Sequence, residues 1–129
     1  MKLALRLLTA LALAGVAFVH LDIAGSYKGV GKHPLALPDQ FYAQSVIAIL
    51  LAIALIAAPK QAVWAAGALF GLASLGALVY SRYKALPVYG FPPGFQETWA
   101  AKGAKLAAVF EGVVIAGSFV GLAVQSRDD

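Results

Sequence analysis

Apolar residues run through this chain in four blocks, at residues 3–21, 41–58, 62–81 and 104–126, and they fall on every side of a helical projection. A surface helix of a soluble protein shows a stripe. A segment apolar all round and about 20 residues long has the length needed to cross a hydrocarbon core about 30 Å thick. The second and third blocks carry no charged residue, the first has Arg6 near its start, and the fourth contains Glu111. The pattern predicts an all-α fold, a single four-helix transmembrane domain over residues 1–129.

The polar stretches between the blocks set the topology. Pro59, Lys60 and Gln61 form a minimal turn, so the second and third helices should be antiparallel neighbours. The other two connections, residues 22–40 and 82–105, are long and rich in Gly and Pro. With an even number of spans, both lie on one face of the membrane. Pro38 and Asp39 read as the start of the second helix with Asp39 as N-cap, and Thr98 as a start for the fourth. All five tyrosines, together with Phe41, Phe91, Phe95 and Trp99, lie in or beside the long loops, whereas the opposite end has Trp64 alone. Interfacial aromatics normally form belts at both surfaces. This one-sided distribution fits a headgroup anchor and loop cap, or a surface for a ligand or partner.

Composition sharpens the membrane reading. Of 129 residues 61% are hydrophobic and 12% charged, and the mean hydropathy is +0.81. Soluble domains are nearer half apolar and a quarter charged. The absence of cysteine excludes disulfides, thiolate metal sites and dithiol chemistry. The ten Lys and Arg are scattered through loops and ends, with no nucleic-acid footprint. Lys2 and Arg6 before an apolar run also have the form of a secretory leader. Phe18, Val19, His20 and Leu21 supply no small-x-small cleavage site, so the block reads as a retained span. Six basic residues on the long-loop side against four on the other favour cytoplasmic loops by raw count. The first span usually dominates, however, and Lys2, Arg6 and the basic turn at Lys60 place both termini in the cytoplasm of a plasma-membrane protein.

One residue stands out chemically. A carboxylate at membrane depth costs roughly 3 kcal/mol, which makes Glu111 a functional candidate. Gly103, Ala104, Ala107, Ala108 and Ser118 lie on its face of the helix, so that face can pack closely against others. At about 1.5 Å per residue, Glu111 lies roughly 9 Å below a surface marked by Lys105, and His20 lies at the same depth if Arg6 marks the opposite surface. A neutral hydrogen-bonded pair and an ion pair both satisfy that placement. Tyr27, Asp22, Gln44, Tyr83 and Glu97 are candidates for the mouth of a polar pocket around it. The residues leave two roles open for Glu111, a tie between helices or a polar or proton-binding site. A metal or haem at His20 and His33 is disfavoured, because His33 precedes Pro34 in a loop. Gly67 with Gly71, and Gly117 with Gly121, have the spacing of close helix packing.

His20-Leu21 followed by Gly25 and Tyr27, Gly94-Phe95-Gln96-Glu97, and the acidic Glu111 in the last helix resemble short motifs of small four-helix bacterial membrane proteins, broadly DoxX-like. The first loop here is longer, and residues 90–93 extend the later one. The resemblance implies an accessory role in redox or sulfur-compound membrane systems and puts a quinone on the list of ligands, beside lipid. No enzymatic constellation accompanies it. The residues are consistent with three classes: a non-enzymatic accessory subunit with a membrane-protein partner or as a homo-oligomer, a proton-coupled transporter using Glu111, and a quinone- or lipid-binding helper.

Overall fold

The computed structural model describes residues 2–27, 29, 37–83, 99 and 103–128. These form four α-helices: α1 Lys2–Ala24, continued by one 3-10 turn Gly25–Tyr27, α2 Leu37–Ala57, α3 Gln61–Tyr83 and α4 Ala104–Asp128. All four are long and apolar enough to cross a membrane, and they pack as a bundle. The chain is a multi-pass membrane protein.

Cross-helix contacts fix the directions. Ser45 of α2 donates to the Ala17 carbonyl of α1 (3.1 Å), while Arg6 at the start of α1 reaches Leu55 at the end of α2. Gly117 of α4 lies against Thr9 and Gly103 against Val19 and Ile23, so α4 runs opposite to α1. Gly67 and Gly71 of α3 face Ser118 and Ile115 of α4. Each neighbouring pair is therefore antiparallel, and both long connections leave from one end of the bundle. Around the ring the order is α2, α1, α4, α3, closed by a thin seam between α3 and α2. The short turn does make α2 and α3 antiparallel neighbours, but they pack least. The large side chains of α2, such as Leu50 and Ile53, point outward, and across the seam Gln44 donates to Ser74 Oγ at 3.1 Å.

Helix ends differ from expectation where the first turn tolerates unusual residues. α2 begins at Leu37, so Pro38 and Asp39 lie inside its first turn and Asp39 is not the N-cap. Proline has no N–H to lose there, and a carboxylate in the first turn complements the helix dipole. α3 continues through Arg82 and Tyr83, which the sequence pattern assigns to the loop. α4 begins at Ala104, with the Gly103 carbonyl accepting from Ala107 N at 2.8 Å. Gly103 has φ +78°, and a Cβ there would sit 3.0 Å from Val19 and Ile23, so both backbone and space select glycine. Thr98 lies outside the described residues.

In hydrocarbon, apolar burial does not drive helices together, so close van der Waals fit and internal polar bonds must do it. The core follows that rule. Leu13, Val16, Leu55 and Val114 are fully buried, and small residues let the helices approach. Gly15 leaves the space that the Phe110 ring fills, with an added Cβ only 2.9 Å from it. Gly117 admits Thr9, and Gly121 seats the ring of Trp64. Trp64, 3% exposed, is thus a core plug and not a belt residue. Arg6 also has a bonding role: Nε donates to Leu55 O at 3.0 Å and Nη2 to Ile56 O, capping carbonyls that α2 leaves open at its C-terminus.

The glycines separate into two classes that unfolding experiments can distinguish. Gly117→Ala and Gly121→Ala should each lower stability in micelles by about 1–3 kcal/mol, because the new methyl meets a packed side chain. Gly76→Ala and Gly112→Ala meet nothing within 4 Å and should leave stability unchanged or raise it.

Candidate functional site

The site forms where α1 and α4 cross beneath the end that carries the long connections. Val19, Ile23 and Ala107 make a small core there, with Tyr27, Phe41, Leu78 and Phe110 packed against it. These residues wall off His20 and Glu111, which are 5% and 1% exposed. For an acid in a helix with lipid-facing sides, 1% means complete enclosure by protein. Glu111 faces the bundle because its helix presents Ala104, Ala107 and Val114 on the same buried side.

His20 Nε2 lies 3.9 Å from Glu111 Oε1. That is an ion-pair distance, too long for a hydrogen bond. The other imidazole nitrogen decides the chemistry. Nδ1 is 2.7 Å from the Val16 carbonyl, which can only accept, so Nδ1 carries a proton. Nε2 is then a bare acceptor in neutral imidazole and a second donor in imidazolium. With one proton beyond that on Nδ1, the pair is either carboxylic acid opposite neutral imidazole or carboxylate opposite imidazolium. Both have zero net charge. Removing that proton leaves two acceptors opposed in a low-dielectric interior, which is costly. A pair without net charge is therefore the arrangement that this enclosure favours.

Glu111 Oε2 is buried without a hydrogen-bond partner among the described residues, and so is Ser118 Oγ two turns along α4. A carboxyl serving only as a tie would have both oxygens met. Arg82, in the last turn of α3, is the cation whose field reaches Glu111. Its guanidinium donates to Ser81 Oγ at 2.7 Å and lies 5.6 Å from the centre of the Trp99 ring. On the α2 side, His20 and Phe41 rings are 5.4 Å apart, and Tyr27 meets Phe41 edge-on at 5.3 Å.

No protein-family model matches the chain, and no curated protein or solved structure is similar to it.

The other residues proposed for the pocket mouth are dispersed. Tyr27 belongs to the ring cluster, half-buried above His20. Gln44 is turned to Ser74 in the α2–α3 seam. Asp22 is exposed, and Tyr83 is 68% exposed on the outer surface of α3. A 23-residue helix carries Tyr83 past the loop where it was expected, onto a turn that faces outward. Glu97 and His33 lie outside the described residues. Among the described residues, no three His, Asp or Glu are grouped as a metal site would require. Sequence reasoning missed Arg82, which had been read as a topology charge. Its reach to the acid goes with the two residues, Arg82 and Tyr83, by which α3 outruns the apolar block, and neither gives a local signal for that.

Gln has the size of Glu and no charge, so it keeps a polar neighbour opposite Nε2 at the same place. Glu111→Gln should therefore stay within about 1 kcal/mol of wild-type stability, whereas Glu111→Ala, which leaves Nε2 buried without its partner, should lose about 1–3 kcal/mol. Reversible unfolding in mixed micelles compares the two.

Proposed function

We propose that this chain is a non-enzymatic accessory subunit of the bacterial plasma membrane, with both termini in the cytoplasm. The pair of His20 and Glu111 serves as its polar binding site. The observation that supports the reading is that Oε2 of an enclosed acid has no hydrogen-bond partner among the described residues. An unsatisfied buried acceptor is costly, and binding a donor there recovers that cost. The donor group comes from a partner or from a small polar ligand entering from the end that carries the long connections. Little aqueous mass and lipid-facing helix surfaces suit a protein that works against another membrane protein or a second copy. The resemblance to DoxX-like proteins points in the same direction, although its second motif falls on residues 94–97, outside the described region. A quinone would need the opposite arrangement, with the carboxylic proton on Oε2 for its carbonyl to accept and its ring against Phe41 and Tyr27.

A second reading makes the chain a small proton-coupled transporter. It is favoured by the single-proton character of the pair and by the thin α2–α3 seam, the interface that could open with least loss of packing. Purification in native lipid with a tag, followed by mass spectrometry, should recover a membrane-protein partner or a bound quinone with wild type and much less with Glu111→Gln. Recovery of neither from wild type would overturn the subunit reading. Substrate-dependent proton flux in proteoliposomes, abolished by Glu111→Gln, would establish the transporter in its place.

A further inference from the structure

The thin seam between α2 and α3 lies across the ring from the crossing of α1 and α4 that holds His20 and Glu111. Register along α3 and α4 sets the height of its polar bond. Gly67 stands against Ser118 and Gly71 against Val114 and Ile115, and the two helices run antiparallel. Three residues further along α3, Ser74 is therefore level with Glu111. Leu78, one turn beyond, packs on the cluster of Val19, Ile23 and Ala107, as that register requires. Ser74 is buried, and Gln44 of α2 reaches across the seam to donate to its Oγ at 3.1 Å. All four helices thus place a polar side chain in one layer: His20, Gln44, Ser74 and Glu111.

In this layer Glu111 Oε2 has no hydrogen-bond partner among the described residues, and the wall is thinnest where Gln44 meets Ser74. Gln44 is half-buried in a membrane span, where an amide without a partner is costly. Its bond to Ser74 supplies that partner while the seam is closed. A neutral side-chain bond between helices is a modest tie in a membrane. When it parts, the Gln44 amide and the Ser74 hydroxyl offer donors and acceptors to an incoming polar head. On the same two helices Ile47, Leu50, Leu72 and Val79 are exposed, an apolar surface for an alkyl tail.

We infer that this layer takes a hydroxyl-bearing amphiphile, of the class of long-chain alcohols, from the bilayer through the α2–α3 seam. The inference rests on the reading of His20 and Glu111 as a binding site, and gives that site a ligand class and a route separate from the loop end. A hydroxyl both donates and accepts, so it suits Oε2 of a carboxylate and of a carboxylic acid alike. A ketone or ester head only accepts. A charged head crosses an apolar seam at far greater cost.

The chain has no cysteine, so a bismaleimide joining Gln44→Cys to Ser74→Cys can lock the seam selectively. The probe is hexadecanol with a diazirine at its tail end, photolysed with the protein in nanodiscs and mapped by mass spectrometry. Wild type should give saturable adducts on α2, α3 and α4, displaced by excess hexadecanol and not by hexadecane. Glu111→Ala should weaken that displaceable labelling about tenfold or more, and Glu111→Gln, which keeps an acceptor and a donor in place, should retain most of it. Unlocked, the double variant should label at least as fast as wild type. Locking it before the probe is added should slow labelling about tenfold or more, whereas locking after loading should preserve the label. That second order of addition shows that the locked protein still holds the ligand. Equally fast labelling of the prelocked protein would overturn the route. No displaceable labelling of wild type, or equal displacement by hexadecane, would overturn the ligand class. Either failure leaves the binding role of the pair to be decided by the partner recovered with wild type and lost with Glu111→Gln.

Discussion

An acid facing hydrocarbon costs roughly 3 kcal/mol, and the crossing of α1 and α4 is organised around avoiding that cost. Glu111 is enclosed on every side, with the His20 imidazole 3.9 Å away and fixed by its bond to the Val16 carbonyl. That single anchoring bond determines which imidazole nitrogen meets the acid, and so how many protons the pair holds. The same low dielectric that makes an isolated acid expensive favours a pair without net charge. Structure and chemical potential are coupled at this crossing, because the groups that join the two helices are also the groups that titrate.

The rest of the bundle keeps that crossing in register. α1 is the hub and the most deeply buried of the four helices. It touches α2 and α4 along its length, while α3 is joined chiefly through α4. Lipid gives no apolar driving force for these contacts, so fit replaces it. Glycine at 15 and 117 brings α4 close enough to α1 for His20 and Glu111 to meet, and glycine at 67, 71 and 121 fits α3 onto α4. Arg6 fastens the far end of α2 to α1 through its open carbonyls. The seam left over, between α2 and α3, is the least constrained part of the wall.

Much of this architecture is legible in the residues, because lipid imposes a coarse rule. Length and all-round apolarity give the number of crossings, and the short Pro59 turn against two long connections gives their directions. The enclosure of Glu111 follows from the small residues on its face of α4, and His20 was assigned to the same depth by counting helical rise from Arg6 and Lys105. What the residues did not show is rotational. Composition says nothing about which side of α3 carries Tyr83, so it was placed at a pocket mouth when it faces outward. Arg82 and Arg6 look like ordinary interfacial cations in sequence. Their roles depend on a neighbouring helix end or acid that only packing brings near. Trp64 is a further case: its place at the end opposite the long loops is plain in sequence, but its burial against Gly121 is not.

Solid-state NMR of labelled protein in lipid most directly tests whether His20, with Nδ1 protonated, and Glu111 form one enclosed pair. The account predicts a protonated, hydrogen-bonded Nδ1 in His20 and a through-space contact between Nε2 and the Glu111 carboxyl carbon, both sheltered from exchange with bulk water. An imidazole with freely exchanging tautomers, or a carboxyl in contact with water and remote from Nε2, would contradict it.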